Sequence, residues 1–359
     1  MRKTAISIGV IGVILLAVAG LFAWWITPSF IARLQGNSNT VRTYNGQIRT
    51  LVDPAALAKG NFSAAIKVGL PETVRRQVTV LQTSGNTALV RDASTATASG
   101  QPIGGITSQY AVDRTSLEAT ASHPSNWSVT NAKGLTVNWP IGAKQQNYTG
   151  WVPYTETTTP LKYVRQQQRD GLNTYVYQAS VPATPIKNPQ VLRGLPTRLP
   201  VSLLQGGVRA GLIPASLVAG LAKVFPHVST IPVGYVYEST STYWVAPATG
   251  IIVNLSTTEK QVGGVVLPTG KIIPVLPVLS DSYQASPASA QSAASDARNG
   301  SNTIQTFGAT LPIVAAAVGF VLLVTAVVLW MRGRRPRVSG PAPGSGGIAP
   351  DTAHAGTRS

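Results

Sequence analysis

Thr4–Ile26 reads TAISIGVIGVILLAVAGLFAWWI and Leu311–Met331 reads LPIVAAAVGFVLLVTAVVLWM, and neither stretch holds a charged residue. At about 1.5 Å per helical residue, each is long enough to cross a hydrocarbon core of ~30 Å. A single Lys or Arg at the centre of such a span costs roughly 2.5–3.5 kcal/mol on insertion, so two long uncharged runs are a strong signal for two transmembrane helices. Trp24 and Trp25 close the first run and Trp330 the second, where aromatic belts belong. Pro312 falls in a first turn, where its missing N–H costs little. Ala17-Val18-Ala19 offers a signal-peptide cleavage site, but the apolar run continues through Leu21, Phe22 and both tryptophans, which favours an uncleaved anchor.

The flanks set the orientation. Arg2 and Lys3 precede the first span, and Arg332, Arg334, Arg335 and Arg337 follow the second. Positive residues stay inside, so both termini are expected in the cytoplasm and the middle of the chain outside a plasma (inner) membrane. The expected division is a cytoplasmic N-terminus (1–3), a span (4–26), an extracytoplasmic β-rich domain (27–283), an Ala/Ser-rich linker (284–306), a span (307–331) and a basic tail (332–359) whose Gly/Pro/Ala composition reads as disordered.

The chain has no cysteine. That excludes disulfides, thiolate metal sites and a lipidated N-terminal Cys, and it favours a bacterial source for so large an outer domain. Only 11% of residues are charged, while Gly and Pro number 34 and 26, a balance that suits a turn-rich β domain. The formal charge of +17 reflects 12 acids against 29 bases. Gln77–Thr83, Gln109–Asp113, Gly134–Trp139, Tyr175–Val181, Tyr235–Val245 and Ile251–Thr257 read as strands, by alternation or by β-branched and aromatic content. Ser99-Gly100, Asp170-Gly171, Thr249-Gly250 and Thr269-Gly270 are turn signals between them. The fold class expected is therefore a membrane-anchored, mainly β (α+β) extracytoplasmic domain, a sandwich or an open barrel, between two single transmembrane helices. Pro214–Val224 is the one clear helical window, within an apolar third, Val191–Val233, that reads first as buried core and otherwise as a second lobe or a membrane-proximal surface. Gln284–Thr306 reads as a tether or a weak helix.

Catalytic motifs are lacking. His123 and His227 have no metal-ligand spacing and read as loop histidines. No Gly-x-Ser-x-Gly elbow and no nucleotide loop occurs, so no enzyme class, cofactor or metal is implied. Asp113, Glu118, Glu156, Asp170, Glu238 and Glu259 are the acids from which a glycosidic pair would be drawn, though Asp113 with Arg114 reads rather as a polar strand-edge contact and Asp170-Gly171 as a hairpin turn. Arg75, Arg76, Lys162, Arg165 and Arg169 are candidate contacts to anionic sugars, phosphates or lipid headgroups, against the simpler reading of a solvated basic face. Nucleic acid is not expected outside the membrane. The bilayer is the expected partner, with an anionic lipid, a lipoglycan or envelope-assembly proteins beside it.

Tyr110–Thr115 (YAVDRT), Trp151–Thr157 (WVPYTET), Asp170–Tyr177 (DGLNTYVY) and Tyr243–Gly250 (YWVAPATG), in that order between two anchors, resemble the actinobacterial PorA-like family, a domain of unknown function. The resemblance covers nearly the whole chain. It implies an actinobacterial cell-envelope protein, linked by name to porins and by context to lipoglycan assembly. It also implies acids near Ala246 and at Tyr154, where this chain has none. A non-catalytic envelope protein binding a lipid, a lipoglycan intermediate or a partner protein is the leading expectation. An envelope glycan- or lipid-processing enzyme and an oligomeric channel are the alternatives. An outer-membrane barrel would present apolar alternating strands to lipid rather than uncharged helices.

Overall fold

The structure, a computed structural model, describes residues 2–332. Arg334, Arg335, Arg337 and the rest of the expected tail lie outside the described residues. The chain divides into two compact units, the pair of terminal helices and Phe22–Thr310.

The terminal helices are α1 (Arg2–Leu21) and α8 (Leu311–Arg332). Both belong to helices long and apolar enough to cross a membrane. Their buried residues are Ala5, Gly12 and Ala19 on α1 and Pro312, Gly319 and Ala326 on α8. Each set recurs every seven residues, which draws one seam of small side chains along each helix. A Cβ added to Gly12 would lie 2.8 Å from the Gly319 carbonyl oxygen, and one added to Gly319 equally close to that of Gly12. Backbones touch where side chains are missing, as in helix pairs that cannot rely on water to drive them together. Gly9 faces Ala326, so the pairing runs antiparallel and Arg2 and Arg332 lie at the same end of the pair. Ile6, Val10, Val13, Ile313, Phe320 and Val321 stay exposed, an apolar surface suited to lipid.

Within the second unit, Phe22–Ile31 and Thr306–Thr310 are π-helical, with Phe22 stacked on Phe307 at 6.3 Å. The strands are β1 (Asn39–Val52), β2 (Ile66–Lys67), β3 (Leu70–Ser84), β4 (Thr87–Ala98), β5 (Gln101–Asp113), β6 (Tyr148–Val152), β7 (Thr157–Arg169), β8 (Leu172–Pro185), β9 (Arg198–Pro200), β10 (Thr230–Ala246), β11 (Ile251–Val266) and β12 (Ile272–Ala285). They make one sheet in the order β5-β4-β3-β1-β12-β11-β10-β8-β7-β6, with β2 beside β1 and β9 beside β10. Of the two architectures expected, the chain takes the open barrel. Bulges at Ile48/Thr50, Val80/Gln82, Tyr163/Arg165 and Trp244/Val245 bend the strands. At Gly46 a Cβ would sit 2.6 Å from the Tyr283 Cβ, so only glycine allows β1 and β12 to approach as they do. Single bridges Val112–Ala119, Glu118–Leu135 and Leu135–Gly150 carry pairing across the gap from β5 to β6.

All four expected turns are present, and Asp170-Gly171 and Ser99-Gly100 have positive φ at both residues, the geometry of a tight hairpin. Gly134–Trp139, expected as a strand, forms no ladder. Leu135, Val137 and Trp139 are buried and alternate with less buried neighbours, so the period of two reports packing and not strand pairing.

The helices of this unit are α2 (Pro54–Ala58), α3 (Phe62–Ala65), α4 (Pro189–Leu192), α5 (Val201–Arg209), α6 (Ala215–Val224) and α7 (Pro287–Gln305). The apolar third of the sequence becomes α4–α6 with its own core of Leu204, Ile213, Leu221 and Ile231, closed by Val265 from the sheet. The Ala/Ser-rich stretch is an ordered helix, α7, because its alanines fit tightly where larger residues would not. Ala294 and Ala297 pack on Ala246 and Val253. The Thr43 N–H donates to Ser289 Oγ at 2.7 Å, Arg42 pairs with Asp296 at 2.6 Å, and Arg298 donates to the Asp170 carbonyl. Thus α7 runs from β1 to the β7–β8 turn.

Candidate functional site

The concave face of the sheet encloses a cavity of about 1870 Å³. Every second residue of the strands points into it: Leu255, Thr257, Glu259 and Gln261 from β11, Leu279, Asp281 and Tyr283 from β12, Tyr235, Tyr237, Ser239, Ser241 and Tyr243 from β10. Helices α2–α5 line another part, with Leu57, Phe62, Val191, Leu203 and Leu204. Ligand pockets for drug-sized molecules run to roughly 1,000 Å³, so this space suits something larger. Its lining is mostly aliphatic and aromatic. Phe62 of α3 packs on Gly206 of α5, where an added Cβ would lie 2.6 Å from the ring, so segments from β1–β3 and from β9–β10 meet beside the cavity. Lys59, Lys67, Arg193, Arg198 and Arg209 also border it, against Asp53, which pairs with Lys67 at 3.4 Å.

Two polar groups interrupt the apolar wall. The first holds three carboxyls. Glu259 and Asp281 are direct cross-strand partners, and Glu72 lies on β3 beyond Gly46 and Tyr283 in the adjoining row. Tyr237 Oη donates to Glu259 Oε2 at 2.8 Å, and Tyr154 stacks on Tyr237 with centroids 4.3 Å apart. Both oxygens of Asp281, and Oε2 of Glu72, are buried with no hydrogen-bond partner. Burial, then the charges of Glu259 and Glu72, push the Asp281 carboxyl up to about 9. Burial and then Glu259 push Glu72 up to about 7. Burial also raises Glu259, opposed by hydrogen bonds from Tyr237, Tyr154 and Tyr283. No Lys or Arg offsets any of the three, which is unusual for buried acids.

The second group is a closed ion pair. Arg76 donates to Asp92 through Nε at 2.9 Å and Nη2 at 2.7 Å. Burial works against the guanidinium charge, and Asp92 more than offsets it, so Arg76 is held above its ordinary range. Tyr110, on the same wall, is pushed up to about 12 by burial. Trp139 adds an indole N–H without a partner.

Of the five basic residues singled out in the sequence, only Arg76 borders the cavity, and its donors are committed to Asp92. Arg75 points to the exposed convex side of β3. Lys162, Arg165 and Arg169 lie on β7, with β1, β12, β11, β10 and β8 between them and β3. Arg169 stacks over Trp244 at 4.8 Å, and Arg165 donates to Gln167. The five form no common site. Of the six acids, only Glu259 lines the cavity. Asp113 caps the turn at Thr115 and Ser116, Glu238 pairs with exposed Lys260 at 3.6 Å, and Asp170 forms its hairpin. Glu72, Asp281 and Tyr283 carried no local signal. Each sits in a strand that alternates weakly, and their meeting depends on strand order. Tyr154, where the resemblance implies an acid, stands beside Glu259 instead. His123 stacks on Trp127 and accepts no metal-like grouping, and among the described residues no cluster of three ligands fits a metal.

The convex face carries Arg49, Arg75, Arg91, Lys162, Glu238 and Lys260, all exposed, so this sheet lacks the apolar outer band of a membrane barrel.

No curated protein matches the sequence. Among solved structures, a hot dog fold protein of unknown function from Alicyclobacillus acidocaldarius is 13% identical, over 68% of this chain and 78% of that one, with a TM-score of 0.12. A putative thioesterase II from Thermobifida fusca is 9% identical, over 69% and 80%, also at 0.12. Scores that low carry no argument about fold or activity. The family described as Porin PorA, by contrast, matches residues 5–328, nearly the whole length that the two apolar helices bracket. The chain belongs to the PorA family.

Proposed function

We propose that this protein is a non-catalytic component of a bacterial cell envelope, anchored in the plasma membrane by α1 and α8, whose outer domain binds the apolar part of a lipid or lipoglycan intermediate. The observation that carries this reading is the cavity. It is about 1870 Å³, mainly apolar, and bordered by Lys59, Arg193, Arg198 and Arg209. Acyl chains gain about 0.8 kcal/mol for each CH₂ taken from water, so such a space favours a long-chain ligand. The bases beside it suit an anionic headgroup. The basic flanks favour both termini in the cytoplasm and the domain of residues 27–283 outside.

The test is the full chain purified from bacterial membranes into amphipol and analysed by mass spectrometry for co-purified lipid. Lipid at near-equimolar amounts is expected. Val181→Trp and Ser239→Trp, which fill the cavity, should lose it. Equal lipid in both variants would mean that lipid adheres elsewhere and would end the proposal.

A glycan- or lipid-processing enzyme is the second reading, and the Glu259–Asp281 pair is what favours it. Opposed residues of an antiparallel pair place their Cβ atoms about 4.5–5.5 Å apart. Retaining glycosidases hold their carboxyl groups at about 5–5.5 Å. Turnover of an envelope glycolipid that stops in Glu259→Gln would support it. A conducting pore has the family name in its favour, but α1 and α8 have no polar face, so it would need several copies. Conductance in planar bilayers tests that directly.

A further inference from the structure

Asp281 is completely buried, and neither carboxyl oxygen has a hydrogen-bond partner; Glu72 is 3% exposed, and its Oε2 has none either. Three acceptor oxygens in one part of the cavity wall are thus unsatisfied. Each such group costs about 1–3 kcal/mol, and more when charged, so a fold rarely keeps three together without use. Glu259 stands opposite Asp281 and already accepts from Tyr237. Among the described residues, none of these three acids enters an ion pair, and Arg76, a buried base of the same cavity, is spent on Asp92. The recess therefore has unpaired carboxyl oxygens, its Tyr237 hydroxyl is committed to Glu259, and it holds no cation of its own.

A ligand's primary ammonium group supplies what is missing. It has three N–H donors, no acceptor and one positive charge. A hydroxyl supplies one donor and no charge, and an anion would meet only carboxyls. We infer that the recess formed by Glu72, Glu259 and Asp281, in the wall of an apolar cavity, receives the protonated amino group of an amphiphilic ligand. The oxygens lie just behind the lining, so the neighbouring side chains must turn aside as the amine enters.

This inference rests on the cavity being a lipid site, and the test separates the two. The full chain in amphipol is loaded with parinaric acid, a fluorescent fatty acid, and displaced by tetradecylamine or by tetradecan-1-ol. The two probes share a chain and differ only in the headgroup. The amine should displace at a concentration about tenfold or more lower, the scale of one hydrogen bond to a charged group. In Asp281→Asn, and separately in Glu72→Gln, the ratio should fall towards one. The ratio is the readout because a variant that merely loosens the fold shifts both probes together. A wild-type ratio near one, or a ratio kept by both variants, overturns the ammonium site and leaves the lipid cavity standing. Failure of parinaric acid itself to bind overturns both.

Discussion

Glu259 on β11 and Asp281 on β12 are exact partners across an antiparallel pair and point to the same concave side, so two acids share one buried patch with Tyr237 bonded to only one of them. Like charges so placed are destabilising in any sheet. Here the cost is met by holding protons. The folded state keeps the Asp281 carboxyl protonated up to about 9 and that of Glu72 up to about 7, whereas an unfolded chain releases both near pH 4.

Stability should therefore decline as pH rises. Between pH ~4 and the folded values the native state holds more protons than the unfolded state, so each group removes about 1.4 kcal/mol per pH unit within its window. Glu72 stops contributing above about 7 and Asp281 above about 9. Thermal unfolding of the full chain in amphipol, followed by tryptophan fluorescence from pH 5 to 9, should show a falling Tm. Asp281→Asn should flatten the slope and raise the Tm at pH 8. A Tm that climbs with pH is incompatible with buried protonated acids.

Asp92→Ala should cost about 3–5 kcal/mol, the penalty for leaving a buried guanidinium without its partner. Arg76 and Asp92 expose only 21% and 13% of their side chains, so solvent screens them little. Arg76→Met with Asp92→Leu should recover most of that loss in urea unfolding. If the single variant unfolds like wild type, the pair is not the closed unit described.

Gly206→Leu should push Phe62 away, since even a Cβ meets the ring at 2.6 Å. Prising α3 from α5 should speed release of a bound fatty acid severalfold in stopped-flow exchange onto vesicles. An unchanged rate would show that ligands leave by another route.

Lys162→Ala, Arg165→Ala and Arg169→Ala together should leave fatty-acid affinity within about twofold, because β7 turns these side chains away from the cavity. A large loss would return them to the site that their sequence suggested.

Gly9→Cys with Ala326→Cys should crosslink in membranes under oxidation. An ideal Cβ at Gly9 lies 3.4 Å from that of Ala326, close to disulfide geometry, and the natural chain has no cysteine to compete. Gly12→Leu should abolish the crosslink by wedging the seam apart. A crosslink that survives this change would point to a different helix pairing.

Much of this was legible in the chain. Pro214–Val224 became α6 with Pro214 as its cap, and the four turn dipeptides all turn. Strands β8, β10 and β11 lie where their β-branched and aromatic runs predict. Strands β1, β4, β7 and β12 were harder. NTVRTYNGQIRTLV and TTTPLKYVRQQQR mix Thr, Gln and Arg into both faces, because parts of the cavity wall are polar and blur the alternation. In Gly134–Trp139 the opposite happened, and clean alternation marked a buried loop.

The sequence alone determined the two greasy helices and the turn-rich β domain between them, since each follows from local length and composition. The cavity, and the gathering of Glu72, Glu259 and Asp281 on its wall, were decided only by tertiary structure. Glu72 stands far from Asp281 in sequence, and no local pattern encodes that β12 inserts between β1 and β11. That strand order, through the bending of one continuous sheet, places three acids from three strands around one hollow.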